Sequence, residues 1–375
     1  MFYNKAGKQK FRPFSIFSGV NCRSYSTPLQ KVITDFGEDE PYNKINQKLK
    51  EHYGIEVATD SARKTTEYHA EQIKLTEKEF INNPNKAKEL LITELDGGMV
   101  PIVEYLDNPL TLKEPLSTQS NVESNITINN NDNNIESIEQ LTARLQNKEL
   151  NKFDHRKHKT VIYKEFRLSL VHENGSVNPI FGGTFGSVQE AGQQLLQCAK
   201  QVGFDKNTKI HGVGDGAPWI ADQIDEQFGI NGSYLIDFYH LCDYLVAAAP
   251  FCAAQRKDEW MKEQKLLLKQ SKSQEVLINL RPYLESKNID DKEAPVRSCY
   301  KYIENRPKQF DYKEAIDNDL PIGSGEIESA HRYIHQKRMK ISGAWWLKEK
   351  ADYMISLRIC RANNNWNTYW GKKVA

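Results

Sequence analysis

"KIHGVGDGAPWIADQIDEQFG", residues 209–229, reads as a short strand, an acid at its end, and a helix. The glycines allow a tight turn, and Pro218 suits the first turn of a helix. Asp215 is left at the carboxyl end of the strand, where open α/β sheets hold their ligands. The stretch is a poor dinucleotide fingerprint. That fingerprint needs G-x-G-x-x-G, and here an acid stands where a pyrophosphate would approach. A turn-forming or helix-capping role for Asp215 is the plain alternative, so its neighbours must decide.

Working outward, the same alternation continues. "TVIYKEFRLSLVHENG" reads as a strand, "VNPIFGGTFGS" as a short strand or loop, "VQEAGQQLLQCAKQVG" as an amphipathic helix, "GSYLIDFYH" as a strand and "LCDYLVAAA" as a helix. The early strands are joined closely and the later ones cross over through helices. That order predicts a mixed α/β fold around a sheet that is antiparallel first and parallel later. Upstream, "KELLITELDGGMVPIVEYLD" reads as an apolar strand closed by Asp96, a tight Gly-Gly turn, and a second apolar run.

Residues 42–76 read as two helices joined at Gly54, the helix-turn-helix pattern of many DNA readers and also of ordinary helical hairpins. Residues 117–138 are Asn-rich and too polar to bury a core, which predicts a disordered insertion. Residues 250–318 are charged and helical. They precede "PIGSGEIESAHRYIHQKRMK", a Gly-rich turn opening a last helix.

Of the 375 residues, 27% are charged and 39% apolar, with a net charge of +1. The charge is uneven: ten Lys/Arg against two acids over 331–375, and six Lys/Arg against one Asp over 1–35. Basic ends around a more acidic middle suit a polyanionic partner. No run of 18 apolar residues occurs, so no membrane span is expected. The start, "MFYNKAGKQKFRPFSIF", lacks the apolar core of a secretion signal. The six cysteines form no CxxC pairs, which argues against a cysteine zinc site and a disulfide scaffold. A cytoplasmic protein is expected.

Asp96, Asp215 and a third acid, Glu326 or Glu328, are therefore candidates for one hard, oxygen-rich site favouring Mg²⁺ or Mn²⁺. Two such ions, about 3.5–4 Å apart, support phosphoryl transfer. His331, Arg332 and His335 share a helix face with Glu328 by spacing. Arg332, His335, Lys337, Arg338 and Lys340 are candidate DNA contacts. Trp260, Trp345 and Trp346 are either core residues or platforms for unpaired bases.

The motifs "ELDGGMVPIVE", "GDGAPWI", "DFYHLCDYL", "PIGSGEIESA" and "QKRMKISGAWW" together resemble the DDE transposases of bacterial insertion sequences, in particular the Kra-type group. The resemblance covers most of the chain. It implies an RNase H-like catalytic core over 86–249 and 319–375, an all-α insertion at 250–318, and an N-terminal helix-turn-helix-like DNA-binding region at 1–85. It implies Asp96, Asp215 and Glu328 as catalytic, metal-holding acids, with Asp237 and His240 of "DFYH" supporting the pocket. It further implies two Mg²⁺ or Mn²⁺ ions, double-stranded DNA as substrate and target, assembly as a homo-oligomer on DNA, and a place at the bacterial nucleoid. Paired cysteines are expected near the N-terminus where only Cys22 stands, which points to a truncated start. A related nuclease that cuts without joining and a catalytically idle DNA binder are the alternatives.

Overall fold

The structure is a computed structural model that describes residues 2–3, 10–11, 25–81, 84, 86–105 and 159–374. The Asn-rich stretch 117–138 and Cys22 lie outside the described residues. Strands β1 (Phe2–Tyr3) and β2 (Lys10–Phe11) form a small antiparallel pair. The main sheet has five strands: β3 (Leu90–Tyr105), β4 (Lys159–Glu173), β5 (Ile180–Thr184), β6 (Lys209–Gly214) and β7 (Gly232–Ile236), in the order β5-β4-β3-β6-β7. Pairings β3–β4 and β4–β5 are antiparallel, whereas β3–β6 and β6–β7 are parallel. The mixed α/β fold expected from the element order is thus present.

The anticipated turn at Gly97–Gly98 is absent. β3 runs straight through both glycines and pairs with β4 from Leu91↔Glu173 to Tyr105↔Lys159. Asp96 lies within the central strand and does not close it. The glycines serve close approach instead. A Cβ on Gly97 would stand 2.3 Å from Glu165 Oε1, and one on Gly98 2.7 Å from His335 Cε1.

Five of the six residues of β6 are buried, as expected of a strand covered on both faces. One face carries Leu91, Leu95, Val171 and Ile210 against helices α4 (Val188–Val202) and α5 (Pro218–Phe228). The other carries Phe166, Leu168, Leu170 and Ile102 against Ile327, Ala330, Ile334, Met354 and Leu357. These come from the late helix, made of α11 (Gly325–Ala330), a π-helical turn His331–Gln336 and a last α turn Lys337–Met339, and from α12 (Lys348–Ala362).

The helix after β7, α6 (Phe238–Cys252), shares a core with helices α7 (Lys257–Lys269), α8 (Ser273–Leu280), α9 (Pro295–Glu304) and α10 (Tyr312–Asp317). Trp260 is buried there, so it packs and does not present a face to a base.

Toward the N-terminus stand three helices, α1 (Thr27–Asp39), α2 (Tyr42–Tyr53) and α3 (Thr59–Leu75). The last two were expected, with Gly54 left-handed at φ 65° between them. α1 was not. Ile33, Ile45, Leu49, Val57 and Ala62 form their own small core. Ala70 and Ile73 of α3 join the core beside the sheet, together with Trp366, Tyr369 and Trp370 of α13 (Trp366–Val374). No helix among the described residues is long and apolar enough to cross a membrane.

Candidate active site

The parallel register of β3 and β6 pairs Thr93 with Gly212 and Glu94 with Val213. The pairing ends there, and Asp96 and Asp215 each lie two residues beyond this last pair, Asp96 within β3 and Asp215 just after β6. Alternation places Glu94 and Asp96 on one face of β3, the face toward the late helix. Glu94 was missed in the sequence, where it sits in an apolar run. It is 2% exposed, and its Oε2 accepts the Ile327 N–H at 2.7 Å. This bond ties the central strand to the first turn of α11, one residue before Glu328. Burial pushes Glu94 up to about 8, opposed by that N–H and reinforced by the charges of Glu326, Asp237 and Glu328.

Asp96 accepts the Gly97 N–H at 2.7 Å. Burial pushes its pKa up to about 6, against that N–H, and Asp215, Glu328 and Glu165 push it the same way. Three acids from other segments therefore act on Asp96 through space. Glu328 is exposed and lines a cavity of about 400 Å³ with Asp96, Gly97, Gly98, His331, Arg332 and Lys340. Glu326 points elsewhere and meets His172 at 3.4 Å.

The turn holding Asp215 is fastened from the helical region. Tyr302 Oη donates to the Asp215 carbonyl at 2.6 Å, Arg306 Nε to the Gly216 carbonyl at 2.7 Å, and the Gly216 N–H to Tyr234 Oη at 3.0 Å. Gly216 adopts φ +84° with Tyr302 Oη 2.4 Å from where a Cβ would be, so the position requires glycine. Asp215 Oδ1 accepts the Ala217 N–H at 2.8 Å, a turn bond just before α5, which has no side-chain cap.

Asp237 is a clamp. Its Oδ1 accepts the N–H groups of Tyr239 and His240 at 2.6 and 3.0 Å, and its Oδ2 accepts Ser324 N–H and Oγ–H at 2.6 and 2.7 Å. It joins the start of α6 to the loop before Glu328, so it supports the pocket by position. His240 packs its ring near Tyr244 and Tyr302, with centroids 5.7 and 6.1 Å away. It touches the residue that holds the Asp215 turn.

Two histidines cover the other side of Asp96. His331 Nε2 stands 3.3 Å from Asp96 Oδ2, but burial holds its pKa down to about 4, so the contact at neutral pH is not an ion pair. His335 is fully buried beside it and pushed down to about 3, mainly by burial. Their Nδ1 atoms are 3.3 Å apart, and neither Nε2 has a hydrogen-bond partner among the described residues.

The basic run divides. Arg332 and Lys340 are exposed at the cavity. His335 lies against Gly98 and cannot reach a phosphate, contrary to the spacing argument. Arg338 is 2% exposed, sandwiched at 4.8 Å from both the Tyr42 and the Trp346 rings, with Nε donating to the Gly37 carbonyl; the expected DNA contact is replaced by a structural one. Lys337 is exposed but paired with Asp39 at 2.7 Å. Trp346 is buried, whereas Trp345 is 53% exposed.

The donor chemistry suits a hard divalent cation: three carboxylates on three elements, with repulsion at Asp96 that a cation would relieve. Among the described residues no three such side chains form a ready-made cluster at ligand distance. Glu328, being exposed, can change rotamer without disturbing the packed core. No protein-family model matches the chain, and no curated protein matches it.

Proposed function

We propose that the chain is a DDE-type transposase with an RNase H-like core, cutting DNA at insertion-sequence ends and joining the freed 3′-hydroxyl to target DNA. The observation that carries this reading is that Asp96 of the central strand and Glu328 of the late helix line one cavity, while Asp215 directly follows β6, the strand paired in parallel with β3. The sheet order supports the core assignment, since three antiparallel strands are followed by two parallel ones, with acids on the first and after the fourth.

Asp96, Asp215 and Glu328 would hold two Mg²⁺ or Mn²⁺ ions, which when bound supply charge neutralisation and an activated oxygen for phosphoryl transfer. Arg332 and Lys340 flank the same cavity and would take phosphates of the duplex. Tyr302, Arg306 and Tyr234 hold the Asp215 turn, and Glu94 and Asp237 hold the approach to Glu328. The helix pair α2–α3 would serve end recognition, and two DNA ends call for a homo-oligomer.

The test uses purified protein, Mg²⁺ and a duplex carrying an element end. Cutting followed by joining of a pre-cut 3′ end to a second duplex supports the transposase. Cutting without joining supports the related nuclease, and binding without either supports the idle DNA binder.

A further inference from the structure

A second cavity lies on the other side of the basic run. It is a groove of about 750 Å³ between the N-terminal helices and the loop 341–347. Tyr42 and the exposed Trp345 supply its aromatic wall, and Lys44, Arg63, Lys350 and Glu67 its charges. Arg63 holds Glu67 at 3.0 Å, which neutralises the one acid of the lining. Lys44 and Lys350 have no carboxylate partner among the described residues. One face of the Trp345 indole carries the Lys159 ammonium, 3.4 Å from the ring centroid, and the Lys350 ammonium lies 5.2 Å over the Tyr353 ring. An indole still 53% exposed, beside the ammonium groups of Lys44, Lys159 and Lys350, matches the chemistry of a nucleotide, a flat base carrying a phosphate.

The groove and the acid cavity are lined by neighbouring residues of one segment. Lys340 lines the acid cavity, and Arg338 and Ile341 line the groove. Its loop is fixed to β3, since Val103 N–H donates to the Trp346 carbonyl at 2.7 Å and Ile102 bridges to Trp346. Ile102 is six positions along the strand from Asp96, roughly 20 Å at about 3.3 Å per residue. A stacked DNA strand covers that span in about six nucleotides.

We propose that this groove binds the single-stranded tail of a DNA end whose scissile phosphate sits at Asp96 and Glu328, with Trp345 stacking on an unpaired base and Lys44 and Lys350 holding its phosphates. The proposal rests on the DNA-cutting reading above and adds a site to it. A blunt duplex leaves Trp345 without a base face to stack on, so tail and duplex are distinguishable.

The test measures binding in EDTA, where no cutting occurs, of a blunt duplex and of the same duplex with a six-nucleotide tail. The wild-type protein is expected to bind the tailed duplex about tenfold tighter, near the lower end of base–aromatic stacking. Trp345→Ala should reduce the tailed duplex to the blunt level, Trp345→Phe should keep most of the preference, and both should bind the blunt duplex as the wild type does. Lys44→Ala with Lys350→Ala should flatten the salt dependence for the tail by roughly 1.4 log units, at about 0.7 per single-strand phosphate. Equal wild-type affinity for tailed and blunt duplex, or a preference that survives Trp345→Ala, overturns the groove and leaves the DNA-cutting reading standing. No wild-type binding to either duplex overturns both.

Discussion

Asp215 follows β6 and Asp237 follows β7, so two aspartates end neighbouring parallel strands of one sheet. Each accepts the N–H of the residue two positions on. There the likeness stops. Asp237 is 3% exposed and gives both oxygens to four hydrogen bonds, two of them to Ser324 on a distant loop. Asp215 is half-buried, gives only Oδ1 to Ala217, and adds its charge to that on Asp96. Strand position alone therefore does not mark a reacting group. What separates the two is whether the carboxylate's acceptor capacity is already filled by the protein.

This contrast can be broken by substitution. Asp215→Asn should lower DNA cutting by about 10³-fold or more, as removal of a group facing transition-state charge does. Its melting temperature should stay near the wild type, because the amide oxygen still accepts the Ala217 N–H. A cutting rate near normal would return Asp215 to a purely structural role. Asp237→Ala should show the reverse order of effects. Four donors lose their acceptor, two of them at a helix start, so chemical denaturation should report a loss of about 3 kcal/mol.

Two further changes sharpen it. Gly98→Ala sets a methyl group 2.7 Å from His335 Cε1, in a packed layer beside Asp96. A cost of about 1–3 kcal/mol is expected, as for other overpacked interiors, together with slower cutting. The smallest effect belongs to the exposed cations. Arg332→Ala with Lys340→Ala should reduce the log–log salt slope of duplex binding by about 1.8, at roughly 0.9 per phosphate. Arg338→Ala should leave that slope alone and lower the melting temperature, because the guanidinium is packed between Tyr42 and Trp346.

Much of the sheet was legible because its strands and helices alternate with the right periods and the turns carry Gly and Pro. Asp96 and Asp215 were legible as strand-associated acids. What failed was wherever a long-range partner overrides a local signal. Gly97–Gly98 resembles a turn, yet it stays in β3 to admit Glu165 on one face and His335 on the other. His335 and Arg338 belong to a basic run that suggests solvent, but their cavities are built by Phe166, Tyr42, Trp346 and the Gly37 carbonyl from distant segments. The π turn His331–Gln336 contains His335 and separates Arg338 from Glu328, so regular helical spacing does not carry through. Glu94 looked like a stray acid among apolar residues, and only Ile327, far along the chain, explains it. α1 did carry a start signal, Ser26 at its N-cap and Pro28 in its first turn, which the sequence reading passed over.

In the proposed site Glu328, not its neighbour Glu326, completes the acid set. The two stand on one short helix, both exposed, and only Glu328 lines the cavity with Asp96. The measurement is Mg²⁺-dependent cutting of an element-end duplex by Glu328→Gln and Glu326→Gln proteins, each confirmed to be folded. The account predicts no detectable cutting by Glu328→Gln and near wild-type cutting by Glu326→Gln. An active Glu328→Gln protein, or the reverse pattern, contradicts it.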